Sequence, residues 1–228
     1  MTLGLTRFCD EANHLVHWSK FPLIINGLLS KFSLSSSNPL PIINYEAISF
    51  LKRYLLPSHN VIEYGSGYSS LWYSQRVHRV VSVEDNQAWL DYLAPTARLY
   101  PNLSIDFHSK PQSYSTFFTN YPDLSPDLVV IDGSVRNLCT IEILNHFPTL
   151  KLLYIDDTDK FSSLHDQLSY RPSYNDHIHL ALANARRDLV SKGYIEYTVR
   201  SFAPSSCTVK QGKFFISPDN SRALQFLP

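Results

Sequence analysis

The sequence predicts an α/β protein: a mostly parallel sheet with helices on both faces. Three observations carry this. From Asn60 onward, short runs rich in valine and isoleucine alternate with segments of helical length. Several of these runs are apolar without alternation, as in a strand covered on both sides. The first of them runs directly into two closely spaced glycines and then a helix.

Residues 1–41 read as an N-terminal helical extension with a Ser/Pro-rich linker from Ser33 to Pro41, and residues 42–228 as the main domain. Ile42 to Leu56 is helical by the recurrence of Ile43, Ala47, Phe50 and Tyr54, and it stops at Pro57. Strands are expected at Val61–Glu63, Val80–Glu84, Leu103–Phe107, Leu128–Asp132 and Leu152–Asp156. Helices are expected between them at Ser69–Val77, at Gln87–Leu99 (disturbed by Pro95) and at Val135–Phe147, which is closed by Pro148. Ile178, Leu182, Ala185 and Leu189 mark one face of a further helix, with Asn175 or Asp176 to cap it and Gly193 where a C-terminal glycine belongs. Tyr194–Arg200 alternates, and Lys213–Ile216 follows an expected turn at Gln211-Gly212, so this pair reads as an antiparallel edge.

Composition narrows the function. The 228 residues carry 20 Lys+Arg against 20 Asp+Glu, which argues against a partner held by bulk charge, nucleic acid or anionic membrane. Cys9, Cys139 and Cys207 are odd in number and far apart, so neither a disulfide framework nor a thiolate zinc site is expected. No apolar run approaches the ~18 residues of a membrane span, and the N-terminus lacks the pattern of a signal peptide. A cytoplasmic location is the expectation.

The most informative stretch is Val61-Ile62-Glu63-Tyr64-Gly65-Ser66-Gly67-Tyr68-Ser69-Ser70. Glycine lets the backbone turn sharply and lets a ligand approach, while the helix start offers unpaired N–H donors. Glu84 follows Glu63 by 21 residues, near the spacing at which a carboxylate meets a ribose diol. A dinucleotide fingerprint needs a third glycine where Ser70 stands. Glu63 beside the loop would repel a pyrophosphate and attract a cationic ligand such as S-adenosylmethionine.

On the residues Glu63 to Trp72, Val83-Glu84-Asp85 and Ile131 to Arg136, the chain resembles the class I S-adenosylmethionine-dependent methyltransferases, and among them a group of small bacterial members. The resemblance spans about residues 43–217 and implies a seven-stranded Rossmann-like sheet of order 3-2-1-4-5-7-6 with the last strand antiparallel. It places Glu63, Gly65, Ser66, Gly67, Ser69, Glu84, Asp85, Tyr114 and Asp132 at the cofactor, with Tyr114 stacking on the adenine and Asp132 near the methionine moiety. Ser69 replaces the motif's common third glycine. The implied activity is methyl transfer to a small-molecule acceptor, with oxygen favoured by the carboxylates at strand ends.

Three roles stay open for Asp156 and Asp157 after the fifth strand: structural caps, a general base, or, with Asp132, ligands of a divalent cation such as Mg²⁺, as in the metal-dependent catechol-type enzymes. Those enzymes usually carry asparagine where Asp157 stands. Arg136 is placed to pair with Asp132 or to meet an anionic substrate. His165, Tyr170, Arg171, Tyr174, His177 and His179 fall in the substrate-loop region, but His177 and His179 do not share a helix face, which argues against a metal clamp. The arm with Trp18, Phe21, Leu23, Ile24, Ile25 and Leu28 is expected to pack on the sheet, with a lid or a homodimer contact as alternatives. A nicotinamide-dependent oxidoreductase, an aminopropyl transferase and a non-catalytic cofactor-binding protein are the rival functions.

Overall fold

The computed structural model describes residues 15–33, 38–158, 185–205 and 209–228. Cys9, Cys207, the segment from His165 to His179 and the expected start of the helix before Gly193 lie outside the described residues.

Five strands, β1 (Asn60–Tyr64), β2 (Arg79–Glu84), β3 (Leu103–Phe107), β4 (Leu128–Ile131) and β5 (Leu152–Ile155), pair in parallel. Two longer ones, β6 (Ile195–Phe202) and β7 (Val209–Ile216), complete a seven-stranded sheet of order β3-β2-β1-β4-β5-β7-β6. β7 runs antiparallel to both its neighbours. Order and orientation are those the resemblance implied.

Because successive strand residues point to opposite faces, each central strand divides its side chains between two cores. Val61, Val80, Leu128, Val130, Leu152, Tyr154, Phe214 and Ile216 pack under α2 (Tyr45–Tyr54) and α3 (Tyr68–Ser74). Ile62, Tyr64, Val81, Val83, Val129, Ile131, Leu153 and Ile155 pack under α5 (Pro111–Ser115), α6 (Arg136–His146) and the helical residues 185–191, α7. The helix α4 (Gln87–Ala97) links β2 to β3 and tolerates Pro95 in its last turn, and a short α8 (Ser221–Leu224) closes the chain.

Local signals explain the boundaries. Asn44 caps α2 by accepting the Ala47 N–H, and Asn86 caps α4 by accepting that of Trp89. Gly193, at φ +85, ends α7 as expected. The turn expected at Gln211-Gly212 is absent: both residues are in β7, with Gly212 opposite Val199. Glycine stands there because a Cβ would lie 2.2 Å from the Tyr154 hydroxyl, so the residue makes room for a side chain of the next strand. In the arm, α1 (Pro22–Ser33) sets Leu23 and Ile24 against Val16, Phe202 and Val209, while Trp18, Ile25 and Leu28 stay exposed. No helix among the described residues is long and apolar enough to cross a membrane.

Candidate active site

In open α/β sheets ligands bind beyond the carboxyl ends of the strands, where the strand order reverses. Here that point lies between β1 and β4, and a hollow of about 370 Å³ opens there. Gly65, Ser66, Gly67, Ser69, Glu84, Asp85, Tyr114 and Asp132 all line it, so the structure brings together the cofactor residues expected from the sequence, with the exception of Glu63. A larger recess of about 640 Å³ lies at the opposite end of the sheet. Its lysines Lys151 and Lys192 are bound to Asp127 and Asp188, and Arg222 is tied to the carbonyls of Arg53 and Tyr54.

The glycine loop is held at several points. Gly65 (φ +93) donates its N–H to the carbonyl of Val83 at 3.0 Å. The Ser66 hydroxyl meets that of Ser82 at 2.8 Å, and the Ser66 carbonyl accepts the indole N–H of Trp89 at 2.7 Å. Gly67 starts α3 with extended backbone, and its N–H is taken by the Ser70 hydroxyl at 2.9 Å. A Cβ on Gly67 would meet nothing closer than 3.8 Å, so the protein itself does not require glycine there. The open space beside it is a cradle that a ligand can enter.

Glu63 is not in the lining, and the reason is strand alternation. It shares the face of Val61, beneath α3, and is 1% exposed. Its Oε2 accepts the hydroxyls of Ser70 at 2.5 Å and Ser82 at 2.9 Å. Burial raises its pKa to about 7, against the pull of hydrogen bonds from Ser69, Ser70 and Ser82. Glu63 therefore braces the loop from below and does not face the hollow, contrary to the expectation from the sequence; the carboxylates that line it are others.

Those are Glu84, Asp85 and Asp132. Glu84 ends β2 with its Oε1 fixed by the N–H groups of Asp85 and Asn86 at 3.1 and 2.9 Å, and burial raises its pKa. Tyr114 differs from expectation in what it offers. Its ring is 1% exposed and packed against Tyr64, so it presents no face for stacking. Tyr114 lines the hollow, and its buried hydroxyl lies beside the backbone N–H of Ser134 in a geometry short of a regular hydrogen bond. Burial pushes its pKa far up, so it is a neutral donor or acceptor.

The lining also contains Trp89, Tyr68, Ile42, Gly133 and Ser134, beyond the residues that the resemblance places at the cofactor. Trp89 stacks on Tyr92 and meets Tyr68 edge-on, forming an aromatic rim. Gly133 was legible as the residue after Asp132. The aromatic rim gave no signal beyond helical spacing.

At the hollow lie Asp132, Asp156 and Asp157, each with one carboxylate oxygen within 4.8 Å of those of the other two. Among the described residues, two cations already stand at these carboxylates. Arg136 Nη2 reaches Asp132 Oδ1 at 3.2 Å and Asp157 Oδ2 at 3.4 Å. Lys210 Nζ reaches Asp156 Oδ2 at 3.2 Å and Asp157 Oδ1 at 3.5 Å. Asp156 is 0% exposed, and its other oxygen accepts the Tyr154 hydroxyl at 2.7 Å. An all-oxygen donor set suits a hard divalent cation, but these oxygens are paired, and a metal ion would have to displace a lysine or an arginine. The residues as arranged do not fit Mg²⁺. Asp132 keeps the most accessible side chain of the three, 26% exposed against 0% and 8%. Burial, and then the neighbouring Asp156, raise its pKa well above the usual range despite Arg136.

No protein-family model matches the chain, and no curated protein matches it by sequence. Solved structures do. It is similar to an O-methyltransferase from Bacillus cereus in complex with SAH (TM-score 0.57, 13% identity, 89% of this chain and 92% of that one). It is also similar to the O-methyltransferase TomG from Streptomyces achromogenes, involved in tomaymycin synthesis and in complex with SAM (TM-score 0.56, 11% identity, 85% of this chain and 89% of that one). An rRNA methylase from Streptococcus thermophilus shares the architecture as well (TM-score 0.51, 9% identity, 76% and 95%). The fold is thus that of the class I S-adenosylmethionine-dependent methyltransferases.

Proposed function

We propose that this chain binds S-adenosylmethionine in the hollow above β1, β2 and β4 and transfers its methyl group to an oxygen of a small acceptor. The observation that carries the reading is the charge of the lining: among the described residues, Glu84, Asp85 and Asp132 are its carboxylates and no lysine or arginine lines it. A wall of that sign favours a ligand with an ammonium and a sulfonium and opposes a diphosphate. This disfavours the nicotinamide-dependent alternative on grounds independent of Glu63.

Around such a ligand, Gly67 would give the backbone close approach and Glu84 would accept from the ribose hydroxyls. The cofactor supplies a methyl carbon already activated by a positive sulfur. The protein's part is to align the acceptor and, where the acceptor is a hydroxyl, to take its proton. Asp132 is the carboxylate placed for that step, because it alone of the acidic cluster lines the hollow and its proton affinity is raised. Oxygen as the acceptor atom rests on this carboxylate, and the two O-methyltransferases of like fold agree with it.

Calorimetry with S-adenosylmethionine, S-adenosylhomocysteine and NAD tests the reading. The first two bind and NAD does not; the reverse result refutes the proposal. Glu84→Ala weakens cofactor binding by about 1–3 kcal/mol, the loss of a charged hydrogen-bond acceptor. Product analysis after incubation with a panel of small phenols, catechols and hydroxy acids then separates methyl transfer from aminopropyl transfer and from binding without turnover.

A further inference from the structure

The acidic cluster has the composition of a cation site, and the question is which cation fills it. Asp132 follows β4, and Asp156 and Asp157 follow β5, whereas Lys210 comes from β7, more than fifty positions further along the chain. The antiparallel register brings it in: Ile155 pairs with Lys213, so the chain direction carries residue 210 past the end of β5 to the level of the aspartates. Alternation then fixes its side. Gly212, where a side chain would strike Tyr154, and Phe214, which stacks near the same ring, share a face with Lys210, and Tyr154 shares one with Asp156.

The ammonium is therefore built into the site from below. Its side chain is 23% exposed, and Asp156, its partner at 3.2 Å, is wholly buried. Tyr154 occupies the other oxygen of Asp156 and is itself met by Asn44. Arg136 spans Asp132 and Asp157 from the opposite side, with further bonds to the carbonyls of Asp132 and Gly133. A buried carboxylate needs such a countercharge, and removing one partner of a buried pair leaves an uncompensated charge.

We propose that Lys210 is the resident cation of this site, with its ammonium standing among Asp132, Asp156 and Asp157 where a divalent metal ion would otherwise sit. The chain accordingly binds no metal there. Lys210 acts as a positioning residue: it neutralises Asp156 and Asp157 and leaves Asp132 as the carboxylate that faces the hollow. Burial alone would lower its pKa, but Asp156, Asp157 and Asp132 outweigh this and hold it above the ordinary lysine value.

The placement of Lys210 does not depend on the methyl-transfer reading, and the test is chosen so that the two can fail separately. Wild-type protein without cofactor is titrated with Mn²⁺, and the free ion is followed by its electron paramagnetic resonance signal. The expected result is no uptake at millimolar Mn²⁺. Lys210→Ala, checked for folding by circular dichroism, takes up one Mn²⁺ per chain, at least about tenfold more tightly than wild type, because Asp156 and Asp157 lose the ammonium that bridges them. Lys210→Arg keeps a cation and stays blind to Mn²⁺. Uptake of one ion by wild type that Asp157→Asn abolishes overturns the proposal, as does a folded Lys210→Ala that binds none. Should Lys210→Ala not fold, the wild-type and Lys210→Arg titrations still decide whether the site holds a metal.

Discussion

Gly65 and Gly133 stand back to back: a Cβ on Gly65 would lie 2.8 Å from the Cα of Gly133, and one on Gly133 would lie 2.8 Å from the Gly65 nitrogen. The loops after β1 and β4 thus touch through their backbones at the floor of the hollow. Gly65 also has φ +93, and a Cβ on Gly133 would fall 2.0 Å from the Tyr114 hydroxyl. Neither collision is with the free end of a flexible chain alone, since each includes backbone.

Gly65→Ala and Gly133→Ala are therefore expected to cost stability before they affect any ligand. Left-handed backbone for a non-glycine residue and overpacking each carry about 1–3 kcal/mol. For a domain of this size, each kcal/mol lowers the melting temperature by roughly 2–4 °C. Thermal melts without ligand check this, and a variant that melts like wild type refutes the packing argument.

Gly67 is the contrasting case. Its backbone is extended, and a Cβ would be in ordinary contact with Ser69 and Trp89 at 3.8 Å. Gly67→Ala should keep the stability of the apo protein within about 1 kcal/mol, yet weaken S-adenosylhomocysteine binding at least about tenfold by narrowing the cradle. Calorimetry and a melt on the same sample separate the two effects. Loss of fold with unchanged affinity would reverse the assignment.

Glu63 makes stability depend on pH. Burial lifts its folded pKa to about 7, above the ordinary 4.5 of an exposed glutamate. Between those values the native protein holds a proton that the unfolded chain releases, so stability falls as pH rises through this window. The full loss is about 3 kcal/mol. Glu63→Gln keeps an acceptor for Ser70 and Ser82 without the charge, so its melting temperature should decline less than that of wild type between about pH 5 and about pH 8. Parallel pH profiles of the two proteins would oppose a buried, titrating Glu63.

The sheet was readable because its strands are short apolar runs set between helices, and period and breaker residues are local properties. The glycine loop was readable for the same reason: Gly65, Gly67 and Glu84 sit on one continuous βαβ unit. Glu63 was found, but its contacts were not. Which face of β1 it takes depends on what covers that face, here Ser70 of α3 and Ser82 of the adjacent strand. Tyr114 was likewise placed at the site, while its ring was absorbed by the core around Tyr64. Lys210 had no local signal, because its position follows from an antiparallel register whose start was hidden by Gly212, a glycine that serves Tyr154 and not a turn.

Asp132 and Asp156 should separate chemistry from structure. Asp132 lines the hollow and Asp156 is sealed beneath it, saturated by Tyr154 and Lys210. Asp156→Asn removes one partner of a buried ion pair and is expected to cost about 3–5 kcal/mol of stability. Asp132→Asn leaves the Lys210 pairs with Asp156 and Asp157 in place. It should fold and bind cofactor, but methylate a hydroxyl acceptor about 10²–10⁴-fold more slowly, the range of a lost general base. The pH profile gives the sign. A base works when deprotonated, and the pKa of Asp132 is raised by burial and by Asp156, so wild-type kcat should climb with pH through an apparent pKa above the usual carboxylate range. The Asp132→Asn profile should lack that limb. If it keeps the limb, or if Asp156→Asn loses activity while melting like wild type, the base lies elsewhere.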